Sequence, residues 1–109
     1  MKKVLMSVLA MSALSVSINA GCTANGCYNV NVAMLYVAGN GNIYVSSDGD
    51  ESTLGCTAPS GTLMTIINSH PGKNAIYSLL LTAKTTNKKV SIRTANGSAN
   101  CQIEYVFMP

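Results

Sequence analysis

The sequence predicts a small, mainly β domain with one helix, its elements ordered β-β-β-α-β-β. Three observations predict it. Apolar and polar residues alternate with period two in several short stretches, segments rich in Gly and Asn separate them, and a single stretch repeats its apolar residues at three and four. The chain of 109 residues is enough for one domain.

The first strand spans residues 28–37, with Tyr28, Val30, Val32, Met34 and Tyr36 on one side and Asn29, Asn31, Ala33, Leu35 and Val37 on the other. Ala38-Gly39-Asn40-Gly41-Asn42 tolerates the positive φ of a turn, and Ile43-Tyr44-Val45-Ser46-Ser47 resumes extended chain, so the two runs form a hairpin. Residues 48–55 read as a polar, acidic, solvated loop, and a third strand is expected at residues 63–68. The period then changes. Asn68 or Ser69 can cap, Pro71 suits a first helical turn, and Ile76, Leu79, Leu80 and Ala83 fall at i, i+3, i+4 and i+7, which predicts a helix over residues 71–84. Residues 88–94 alternate Lys89, Ser91 and Arg93 against Val90, Ile92 and Thr94 as a fourth strand. Residues 95–100 turn, and residues 101–107 form the fifth strand. Five strands with a helix between the third and fourth is the connectivity of the OB-fold, a partly open barrel that the helix stripe would plug at one end. An open sheet crossed by one helix is the competing arrangement.

The N-terminus carries a different signal. Met1-Lys2-Lys3, an apolar run over residues 4–16 and Ser17-Ile18-Asn19-Ala20 make a secretory signal peptide over residues 1–20, cut after Ala20, with the domain over residues 21–109. The run is too short for a membrane span, which takes roughly 18–20 residues. Ala20-Gly21-Cys22 also resembles the end of a lipoprotein signal, although Asn19 stands where that signal favours an aliphatic residue. The protein is therefore expected to be exported, as a periplasmic or secreted domain. Cutting after Ala20 lowers the net charge from +3 to +1, with Lys73, Lys84, Lys88, Lys89 and Arg93 against Asp48, Asp50, Glu51 and Glu104. So weak a charge excludes a nucleic-acid surface that works by neutralising phosphates.

Export makes disulfides the expected state of Cys22, Cys27, Cys56 and Cys101. Four cysteines allow three connectivities. The turn-forming spacer Thr23-Ala24-Asn25-Gly26 favours Cys22–Cys27, which leaves Cys56 for Cys101. The spacings do not suit a zinc site and His70 is the one histidine, so neither a metal nor a cofactor is expected.

Leu79-Leu80-Leu81-Thr82-Ala83-Lys84, a short turn, and Lys88-Lys89-Val90-Ser91-Ile92, with Cys56 ahead of the helix and Cys101 in the last strand, resemble small secreted bacterial proteins of OB-fold type. The layout over residues 28–107 is similar to that of the B subunits of subtilase-cytotoxin-like toxins. This resemblance implies binding of cell-surface glycans and assembly as a homo-oligomer that carries a catalytic subunit. The chain is shorter than those subunits, has Asn87 where their turn often has glycine, and offers no loop that aligns with their glycan contacts.

No catalytic set emerges from the residues. His70 has no nucleophile and carboxylate at telling spacing, so it is expected as an exposed or capping residue beside Pro71. Asp48-Gly49-Asp50-Glu51-Ser52 resembles half a calcium loop, but Thr53 and Pro59 occupy the positions that need glycine and an acid. Lys84, Lys88 and Lys89 suit a helix C-terminus. The candidate binding residues are Tyr44, Ser46, Ser47, Asp48 and Asp50, an aromatic ring followed by hydroxyls and carboxylates. The expected function is non-catalytic binding, of a glycan or of a protein partner held at a sheet edge or loop.

Overall fold

The computed structural model describes residues 21–109, and residues 1–20, where the signal peptide is read, lie outside the described residues. The elements are β1 (Gly21–Thr23), β2 (Gly26–Val30), β3 (Val32–Val37), β4 (Ile43–Ser47), β5 (Met64–Ile66), α1 (Lys73–Thr86), β6 (Val90–Thr94) and β7 (Ile103–Phe107). They form two antiparallel sheets, ordered β1-β2-β6-β7 and β3-β4-β5. The class is mainly β with one helix, as the periodicity predicts. It is not a closed barrel: between β5 and β7 runs one isolated parallel bridge, Thr65 to Gln102.

The expected first strand is two strands. Asn29 adopts φ 55°, the register of β2 on β6 shifts between Cys27 and Val30, and that of β3 on β4 shifts between Val32 and Met34. Each irregularity bends the chain and re-aims its side chains. Residues 28–37 therefore leave one sheet and enter the other, a change of partner that alternation alone does not encode. β1 is an added strand, pairing with β2 through the turn at Ala24 and Asn25.

The core lies between the sheets and the helix. Val45, Met64 and Ile66 come from one sheet, Cys27, Val30, Val90, Ile92 and Ile103 from the other, and Ile76, Leu80 and Ala83 from α1. The helix runs later than expected. Its N-cap is Gly72, which has no capping side chain, and the His70 Nδ1 accepts a hydrogen bond from the Gly72 N–H at 2.9 Å. Neither Asn68 nor Ser69 caps. Asn87 ends the helix in the left-handed conformation, φ 59°, where its N–H reaches the carbonyls of Ala83 and Lys84.

Two disulfides tie the fold. Cys22–Cys27 joins directly paired positions of the β1–β2 hairpin, and Cys56–Cys101 bridges 45 positions between the loop after β4 and the turn before β7. Among the described residues no helix is long and apolar enough to cross a membrane.

Candidate functional site

The five candidate binding residues follow one another on β4 and the loop after it, and strand geometry divides them. Successive side chains of a strand point to opposite faces. Tyr44 and Ser46 therefore share one face and Ser47 takes the other, where it is buried.

Tyr44 and Ser46 gain partners from β3. The register sets Tyr44 opposite Tyr36 and Ser46 opposite Met34. The tyrosine rings lie 5.2 Å apart, tilted by 30°, the spacing of an attractive aromatic pair. Tyr36 is 49% exposed and Met34 41%, so these two rows form an outward patch of two phenols, a thioether and a hydroxyl. Tyr36 and Met34 escape a reading that considers β4 alone. The hairpin arithmetic could have found them, since a five-residue loop between Val37 and Ile43 puts Tyr36 across from Tyr44.

Ser47, Asp48 and Asp50 have internal tasks. The Ser47 hydroxyl donates to Glu51 Oε2 at 2.8 Å, and the Ser47 N–H donates to the same oxygen. Asp48 accepts from the Asn31 N–H and from Asn31 Nδ2, both at 3.0 Å. Its slight desolvation raises the carboxyl pKa, but these two donors and the charge of Lys89 outweigh that and hold it below the ordinary 3.8. Asp50 caps the short 3-10 turn Glu51–Thr53, and the Ser52 hydroxyl and N–H lower its pKa. Asp48 also lines a cleft of about 180 Å³ with Gly21, Asn29, Val30, Gly49 and Lys89. The cleft brings one carboxylate and one ammonium together, away from the tyrosine patch.

One expectation for the loop is corrected. Residues 48–55 were expected to be solvated, yet Glu51 is only 4% exposed. The 3-10 turn folds it inward, and the two Ser47 donors compensate the burial of its carboxylate. Among the described residues, Glu51, Cys22 and Cys27 are the cluster with metal-ligand atoms close together, all within 4.8 Å, but both sulfurs are consumed in the disulfide. Comparison of the chain with protein families, with characterised proteins and with solved structures gives no match.

Proposed function

We propose that the protein is an exported binding module with no catalytic action on its ligand, that the ligand is a cell-surface glycan, and that the outer face of β3 and β4 receives it. The observation that carries this reading is the Tyr36–Tyr44 pair beside Ser46, with Tyr36 exposed and Tyr44 half-buried. A tyrosine presents an apolar ring and a polar hydroxyl, which suits the C–H face and the hydroxyls of a sugar. Tyr36, 49% exposed, offers much of its ring to solvent, and the half-buried Tyr44 supports it from the neighbouring strand. The similarity in layout to toxin B subunits points the same way, and implies a homo-oligomer. That reading takes the two sheets as an OB arrangement, in which β2 and β3 are one bent strand and the Thr65–Gln102 bridge is the open seam.

A second reading is a module that holds a protein partner. It is favoured by β3, an edge strand with exposed Met34, Tyr36 and Val37, where Lys84 Nζ takes the Ala33 carbonyl at 3.0 Å. A glycan array with the purified protein, combined with light scattering, tests the first reading. Glycan binding that Tyr44→Ala abolishes in a folded oligomer is the expected result. A monomer that binds no glycan would overturn it.

A further inference from the structure

The Tyr36–Tyr44 pair offers a second chemistry, which goes beyond the glycan reading and does not depend on it. We propose that the pair is a site of oxidative cross-linking, at which a haem peroxidase and its peroxide join the two rings by a carbon–carbon bond and so staple β3 to β4.

The rings project from directly paired positions of the hairpin, with centroids 5.2 Å apart and planes 30° from parallel, so they are neighbours before any reaction. The turn holds that register: the Ala38 N–H donates to the Asn42 carbonyl at 2.8 Å, and the Gly41 N–H to the Ala38 carbonyl at 3.0 Å. Tyr36 is open to an oxidant, while Tyr44 is half-buried behind it. Competing side chains are absent, since the chain has no tryptophan and all four cysteines are in disulfides. The other tyrosines lack a phenol to couple with. The ring beside Tyr105 is Phe107, at 6.4 Å, and Tyr28 and Tyr77 have no aromatic ring partner among the described residues.

The chemistry balances. Each phenol gives up one electron and one proton and becomes a neutral phenoxyl radical, and the peroxide takes both electrons and both protons and leaves as water. Unpaired spin resides partly on the ring carbons ortho to each oxygen, and two of these form the new bond. Each bonded carbon then releases its hydrogen as a proton while the oxygen regains one, which restores both aromatic rings. Two C–H bonds are exchanged for one C–C bond. Coupling within the hairpin outruns coupling between molecules because the partner ring is held at an effective concentration far above that of a dilute protein. In the other sheet, Cys22–Cys27 already ties directly paired positions of β1 and β2. The tyrosine link gives β3, which has one neighbour in its sheet, a tie of the same kind.

The test treats dilute protein, both disulfides formed, with a haem peroxidase and limiting hydrogen peroxide. The disulfides are then reduced, and hydroxylamine, which cuts Asn-Gly bonds, separates Tyr36 from Tyr44 at Asn40-Gly41. The expected product is a monomer lighter by two hydrogen atoms, with the fluorescence of a coupled tyrosine pair, whose fragments on either side of Asn40-Gly41 stay joined through Tyr36 and Tyr44 in tandem mass spectra. Tyr44→Phe keeps the ring but removes one phenol, and should lower the intrachain product at least about tenfold. Tyr105→Phe should leave it unchanged. Mainly interchain products, an intrachain link at other tyrosines, or an undiminished yield in Tyr44→Phe would overturn the proposal. No glycan enters the measurement, so its failure and the failure of glycan binding are read separately.

Discussion

At the scale of single residues, Asp48 shows how a candidate ligand can be occupied by its own fold. Both carboxylate oxygens accept from Asn31, and these donors with Lys89 depress its pKa. A depressed carboxylate contributes stability above its ordinary value of 3.8, and this is lost as pH falls through the lower folded value. Asp48→Asn should therefore lower Tm above about pH 4, and the difference from the unaltered protein should close in stronger acid. A pH series of thermal melts checks this, and a gap that widens in acid would contradict the assignment. Gly26 gives a sharper case. A Cβ there would strike the Ile92 carbonyl oxygen, because β2 runs against the β6 backbone at this point. Gly26→Ala should cost on the order of 3 kcal/mol in denaturant unfolding, since neither backbone can move without breaking the sheet pairing.

At the scale of elements, the helix was legible and its ends were not. Ile76, Leu80 and Ala83 are the buried stripe that the spacing predicts, while Leu79 remains half-buried. The start depends on His70, whose Nδ1 holds the Gly72 N–H while its Nε2 stands 3.1 Å from the Glu104 carbonyl on β7. A long-range partner of that kind leaves no local pattern. At the far end Asn87 takes the left-handed conformation, which asparagine tolerates and alanine does not. Asn87→Ala should cost about 1 kcal/mol, read as a shift in the denaturation midpoint with the slope unchanged. The strands tell the same story. Alternation located β3, β4, β6 and most of β7, but Asn100 and Cys101, at φ 67° and 46°, delay β7 to Ile103. The break at Asn31 likewise follows from the two sheets competing for one strand. The candidate site was half legible: the parity of Tyr44 and Ser46 could be read from β4, whereas the burial of Glu51 depends on a 3-10 turn with no period of its own.

At the scale of the molecule, the two disulfides divide the work. Cys56–Cys101 closes a loop across 45 positions and sets the fully buried Cys101 into the core beside Met64 and Ile103. Cys22–Cys27 closes a separation of 5 within a hairpin that already pairs Gly21 with Tyr28 and Thr23 with Gly26. Chain entropy assigns roughly 4 kcal/mol to the long loop and roughly 2 kcal/mol to the short one. The long crosslink also holds the ends of the seam, where Thr65 and Gln102 make one bridge and the Thr65 hydroxyl donates to the Asn100 carbonyl at 2.7 Å. Replacing Cys56 and Cys101 together by alanine should therefore cost more than the loop term alone, because the two sheets lose their covalent tie where their pairing is thinnest. Replacing Cys22 and Cys27 should cost about 2 kcal/mol and leave the sheets joined through β2 and β3. Parallel denaturant titrations of the two double variants check the order, and amide exchange at Thr65 and Gln102 locates the loss. Equal destabilisation, or a greater loss from the hairpin pair, would mean that the seam is held by packing against α1 and not by the crosslink.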